Sequence, residues 1–104
     1  MEDIEIEEDK YKIFSTTQFK KEYKKYLNNE KKILKIDATI ALLKKGGIEN
    51  IPQHMRPHPL IGNYNGHLEC HIESDLLIIW IQYDEEEKKI ILTRLGSHSE
   101  LFKK

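Results

Sequence analysis

Cysteine is nearly absent from these 104 residues: Cys70 stands alone. That excludes an internal disulfide framework and a CxxC-type zinc site. No apolar run approaches the ~18 residues of a membrane-spanning helix. The opening Met1-Glu2-Asp3-Ile4-Glu5 lacks the basic start and apolar stretch of a secretory signal. These absences predict a cytoplasmic protein without membrane contact. Proline and glycine are sparse, at three and five residues. There are no GxGxxG, P-loop or HExxH signatures, so no cofactor is called for, and the length suits one domain rather than two.

Charge is unevenly placed, although the formal net charge is only −1. Residues 1–9 hold six acids and no base. Residues 10–45 hold eleven lysines against Glu22, Glu30 and Asp37, a segment of +8. Residues 46–104 hold six bases and nine acids. A basic middle suits a polyanion, and it equally suits helices with solvated lysine faces. Residues 1–10 are expected to be a flexible acidic extension, and residues 11–104 a single domain.

Hydrophobic periodicity predicts an α+β fold. Tyr11 to Phe14 reads as a short strand. Ser15 with Gln18 reads as a capping box, opening a helix with Phe19, Tyr23, Tyr26 and Leu27 on one face. Asn28-Asn29 breaks it. Ile33, Ile36, Ile40 and Leu43 mark a second amphipathic helix that Gly46-Gly47 stops. All three prolines fall in residues 48–66, which read as loop. His67 to Glu73 alternates Leu68, Cys70 and Ile72 against Glu69, His71 and Glu73, a half-buried strand. Leu76 to Tyr83 is nearly all apolar, as for a strand covered on both faces. Lys89 to Leu95 is the last strand. Ser97 with Glu100 forms a capping box for a short C-terminal turn carrying Leu101 and Phe102. The order β-α-α-β-β-β predicts a small antiparallel sheet with a two-helix hairpin on one face.

The chemistry-bearing residues lie in the second half. The histidines are His54, His58, His67, His71 and His98. His71 sits between Glu69 and Glu73, and a neighbouring carboxylate favours the imidazolium. His98 follows the N-cap Ser97, and a helix N-terminus disfavours positive charge. Opposed environments of this kind suit an acid–base pair. His58 is held between Pro57 and Pro59, and Asp75 stands ready to orient an imidazole or to act as a base itself. Singly, each histidine is most simply a surface residue. His67 and His71 are four residues apart, about 13 Å along a strand, so no metal site is expected.

Three motifs then carry a resemblance. His58-Pro59-Leu60-Ile61-Gly62, Glu69-Cys70-His71-Ile72-Glu73-Ser74-Asp75-Leu76 and Arg94-Leu95-Gly96-Ser97-His98-Ser99-Glu100-Leu101-Phe102 resemble the YafQ branch of the RelE/ParE toxin superfamily. The resemblance spans roughly residues 11–102 and implies a RelE-like fold. It implies a type II toxin–antitoxin toxin that cleaves messenger RNA in the ribosomal A site without a metal. It carries over His58, His71, Asp75, His98 and Phe102 as the positions tied to activity. The implied partners are a cognate antitoxin and the 70S ribosome with its mRNA and ribosomal RNA.

Residue chemistry extends that reading. Arg94 is the expected phosphate-binding guanidinium, and Phe102 offers a face for base stacking or an anchor for the terminal turn. Lys20, Lys21, Lys24 and Lys25 are the expected ribosomal RNA contacts. Leu68 departs from the family pattern, in which an arginine or another polar group often stands there. His67, Arg94 or Arg56 would have to compensate. The competing functions are a gyrase poison on the same scaffold and a degenerate module that binds antitoxin without cutting.

Overall fold

The computed structural model describes residues 8–102. The elements are β1 (Lys12–Ser15), α1 (Thr17–Lys24), α2 (Glu30–Gly46), β2 (His58–Pro59), β3 (Leu68–Glu73), β4 (Leu76–Tyr83), β5 (Lys89–Gly96) and α3 (His98–Leu101). They form one five-stranded sheet in the order β1-β5-β4-β3-β2. The β3-β4-β5 meander is antiparallel, as the short turns between its strands require. β1 joins β5 in parallel, so the sheet is mixed rather than wholly antiparallel. The long helical crossover from β1 permits this pairing.

Burial explains the strand order. Leu76, Leu77, Ile78, Ile79 and Trp80 of β4 are all buried, which fits a central strand covered on both faces. On one face Cys70, Ile78, Trp80, Ile90 and Leu92 pack with Phe19 of α1 and with Ile36 and Leu43 of α2. On the other, Leu77 and Ile79 pack with Leu101 of α3 and are flanked by Leu60 and Tyr64. Leu68 and Ile72 pack against the helix-side core, as their alternation predicts. Burial pushes the Cys70 thiol up to about 12, so it sits in the core as a small apolar residue.

Several local readings are corrected. The N-cap of α1 is Thr16, not Ser15: the Thr16 hydroxyl accepts from Phe19 N at 3.0 Å. Leu27 follows the end of α1, in a turn, and is 58% exposed. The loop at residues 48–66 contains β2, whose His58 and Pro59 pair with Glu69 and Leu68. That added strand buries the nominally polar face of β3, and Glu69 is only 3% exposed. The capping box at Ser97 and Glu100 is formed in full.

The acidic extension lies mostly outside the described residues. Its end, however, is tied down. The Lys44 carbonyl accepts from Lys10 N at 3.1 Å and Tyr11 N at 3.0 Å, and Asp9 stands 3.6 Å from Lys44 Nζ.

The stop after α2 rests on one glycine. Gly47 has φ +63°, and a Cβ there would lie 2.7 Å from Gln82 Nε2. Gln82 Oε1 already accepts from Ile48 N at 3.0 Å and Trp80 Nε1 at 3.2 Å. Gly47→Ala therefore strains the backbone and displaces that amide. Urea unfolding followed by circular dichroism should show a loss of about 1–3 kcal/mol. An unchanged midpoint would mean that Gln82 gives way without cost.

Candidate active site

Three imidazoles form a row on the sheet face that carries α3. His58 comes from β2, His71 from β3, and His98 is the first residue of α3. The His58 and His71 rings are 6.2 Å apart between centroids, and those of His71 and His98 5.5 Å. Phe102 extends the row, 6.1 Å from His98. Its ring meets Tyr64 edge-on at 5.5 Å and is 40% exposed, while Leu101 supplies the core anchor. Phe102 thus keeps a free face. Asp75, in the turn between β3 and β4, accepts from His98 N at 2.9 Å and lies 3.1 Å from His98 Nδ1.

The fold brings these groups together through register and turns. His58 stands directly opposite Glu69 across the β2–β3 pair, and His71 is two residues along the same strand face. The β3–β4 turn puts Asp75 beneath the N-terminus of α3. His54 lies outside the row. His67 packs edge-on against Tyr64 at 5.6 Å. Among the described residues no group of three or more histidine, cysteine, aspartate and glutamate side chains is arranged to hold a metal ion.

The electrostatics differ from the expectation at His71. Its pKa is held below the usual 6.5, chiefly by burial and then by the charges of Arg56, His98 and His58. The flanking carboxylates do not reverse this. Glu73 is committed to Lys32 and Lys35. Glu69 is itself raised by burial and stands nearer to His58, at 3.2 Å from Nε2, than to His71, at 3.7 Å. The exposed carboxylate serves His98 instead. Donation from the His98 backbone and ring holds Asp75 below its usual value.

Arg94 also departs from its expected role. Its guanidinium lies against the buried carboxylate of Glu22, with Nη2 2.9 Å from Oε2 and Nε 3.1 Å from both oxygens. Nη1 donates to the Tyr64 hydroxyl at 2.8 Å. Glu22 also accepts from Leu95 N at 2.9 Å. Arg94 is therefore a structural cation, occupied inside the protein. Arg56 has its backbone in the left-handed region, φ 55°, is exposed, and is the arginine whose charge reaches His71.

This arrangement stands beside clear similarities to known proteins. The family described as a bacterial toxin of type II toxin–antitoxin system, YafQ, matches residues 11–103. The chain belongs to the YafQ toxin family. Over 85 residues it is 28% identical to the mRNA interferase toxin YafQ of Escherichia coli K12, covering 82% of this chain and 88% of that relative. Its fold matches the crystal structure of YafQ from E. coli BL21(DE3), with a TM-score of 0.77 and 26% identity over 88% of this chain and 98% of that one. It also matches the crystal structure of the E. coli DinJ–YafQ toxin–antitoxin complex. The TM-score there is 0.73, with 27% identity and coverage of 89% and 98%.

Within this YafQ-family chain, sequence reasoning missed Glu22 and Tyr64, and it read Glu69 as a carboxylate on a polar strand face beside His71. Glu22 reads as a stray acid among lysines, and Tyr64 lies in a loop without periodicity. Glu69 is buried only because β2 exists.

Two predictions follow from the electrostatics. The unfolded chain binds a proton at His71 more tightly than the folded chain does. Stability at that group is therefore full above the ordinary value of 6.5 and is lost as pH falls through the lower folded value. An NMR titration should place the His71 ring below 6.5, and His71→Gln should flatten the fall in stability on that acid side. Arg94→Ala should cost about 3 kcal/mol of unfolding free energy, because it leaves the Glu22 carboxylate buried and unpaired. Full stability in that variant would mean that Arg94 is free for substrate after all.

Proposed function

We propose that this chain is a ribosome-dependent endoribonuclease that cuts messenger RNA in the A site. The observation that carries this reading is the row of three imidazoles ending at the exposed ring of Phe102. The name of the E. coli relative, an mRNA interferase toxin, supports it.

The reaction is a transesterification within RNA. The ribose 2′-OH attacks the adjacent phosphorus, the bond to the 5′-oxygen breaks, and a 2′,3′-cyclic phosphate forms. His71 takes the 2′-OH proton, since burial and nearby cations favour its neutral form. His98 protonates the departing 5′-oxygen. Asp75 at Nδ1 fixes that ring and leaves Nε2 for the substrate. Negative charge gathers on the phosphate oxygens in the transition state, and Arg56 takes the role first expected of Arg94. A base stacks on Phe102. Imidazoles perform each proton transfer, and no step calls for a metal.

Two surface features support the partners. Lys20, Lys21, Lys24 and Lys25 are all exposed and meet ribosomal RNA phosphates. A groove of about 450 Å³ runs between β1 and α1, lined by Ile13, Phe19, Tyr23, Leu27 and Ile40 and flanked by Lys20 and Lys24. An acidic, amphipathic antitoxin segment suits that combination.

Primer extension on a reporter mRNA with purified bacterial ribosomes tests the reading. New ends at A-site codons should appear with the wild type and only with ribosomes. His71→Ala and His98→Ala should each lower cleavage about 100-fold or more while keeping native circular dichroism. No cleavage by the folded wild type would sink the nuclease. It would favour the antitoxin-binding module or the gyrase poison, the latter with cleaved DNA accumulating.

A further inference from the structure

Tyr64, in the loop between β2 and β3, touches both Arg94 and α3. The loop is closed on itself. Leu60 N donates to the His67 carbonyl at 2.9 Å, and His67 N donates to the Tyr64 carbonyl at 2.9 Å. Gly62 and Gly66 turn the chain at φ +72° and +88°, a conformation that glycine adopts without strain. Tyr64 is thereby brought over the sheet face that carries α3, where it packs beside Leu77, Ile79 and Leu101.

Its hydroxyl is fully committed. A guanidinium only donates, so Tyr64 Oη accepts from Arg94 Nη1 at 2.8 Å. A carbonyl only accepts, so the phenol proton goes to the Leu101 carbonyl, 2.9 Å away. Both lengths are those of good hydrogen bonds. Leu101 is the last residue of α3, and the last carbonyls of a helix find no partner within it. Arg94 is itself fixed on the buried carboxylate of Glu22. A chain of fixed bonds therefore runs from the sheet edge to the C-terminal end of α3.

The ring adds a second constraint. Phe102 directly follows Leu101, and its ring meets Tyr64 at an interplanar angle of 76°. Tyr64 is braced in the same edge-on manner by His67, at 81°. Such T-shaped contacts are favoured between rings. The other end of α3 has separate fixings, namely the Ser97–Glu100 capping box and Asp75 on His98 N. Tyr64 thus belongs to the end that carries Phe102, and Asp75 to the end that carries His98.

We propose that Tyr64 is a positioning residue for nucleotide binding, whose hydroxyl and ring together hold Phe102 at the tilt on which a base stacks. The role deepens the nuclease reading and rests on it, while the anchoring of Phe102 is a property of the free chain. Tyr64 acts through Phe102 and takes no part in proton transfer. A stacking ring that is already held loses little freedom when the base arrives, whereas a loose one must be ordered on binding. Losing the hydroxyl therefore weakens substrate binding more than it slows bond breaking.

Tyr64→Phe removes the hydroxyl and keeps the ring. In the free toxin, with native circular dichroism, ¹⁵N relaxation should show order parameters falling at Leu101 and Phe102 to below about 0.6. Ser97 and His98 should stay in the rigid range. On ribosomes, KM for the mRNA-loaded complex should rise about five-fold, as for one lost hydrogen bond, with kcat and the pH profile largely unchanged. A merely structural defect would reduce the amount of active toxin and lower kcat instead. In a Phe102→Ala background, Tyr64→Phe should raise KM no further, because the two residues act as one unit. Unchanged order at Phe102 overturns the anchor, whatever the cleavage result. An unchanged KM, or an equal rise in the Phe102→Ala background, overturns the link from Tyr64 through Phe102 to the substrate. Absent cleavage by the wild type, with order lost at Phe102 in Tyr64→Phe, overturns the nuclease reading and supports the anchor.

Discussion

The ion pair of Glu22 and Arg94 closes the seam at which the sheet would otherwise come apart. β1 covers β5 only from Lys89 to Leu92. Past that point the edge of β5 turns toward α1, and its backbone groups need partners. Thr16 donates its hydroxyl to the Thr93 carbonyl at 3.1 Å, and Glu22 accepts from Leu95 N. A helix thus completes an edge that a strand began. The cost of burying that carboxylate is offset by the guanidinium folded over it. Through Arg94 the same network reaches Tyr64, whose hydroxyl donates to the Leu101 carbonyl at 2.9 Å. The helix hairpin, the sheet edge and the terminal helix are therefore held by one connected set of polar groups.

That scaffold lets the candidate site separate its two kinds of carboxylate. Asp75 is exposed and bound to the terminal imidazole. Glu69 is buried and faces the imidazole of the short strand. Between them lies His71, drier than either neighbour and short of a committed anionic partner. A site that must both take and return a proton near neutrality needs rings in unlike surroundings. Here the unlikeness comes from depth along one row rather than from different residue types.

Much of the fold was legible because the chain states it locally. The second helix, the meander and the terminal capping box each carry a period or a cap that a few residues define. β2 was not legible, since two residues have no period and Pro59 argues against a strand. What makes it a strand is the waiting edge of β3. The same tertiary fact overturned two site readings. Once β2 is present, Glu69 leaves solvent, and the carboxylate expected to charge His71 turns to His58. His58, His71, Asp75, His98 and Phe102 were found from motifs and do converge. Arg94 and Glu22 are 72 positions apart, and no local pattern links an arginine on a strand to one acid in a lysine-rich helix.

The four-residue helix α3 sits at the far end of the chain and contributes nothing to the strand pairing of the sheet. It brings His98 and Phe102 to the row and is fastened by Leu101, the Ser97–Glu100 cap and the Tyr64 hydroxyl. The architecture is in this sense modular in space. The strand pairing and the core are specified without the last two members of the row, so changes at the exposed His98 and Phe102 can retune the row while leaving the sheet in place.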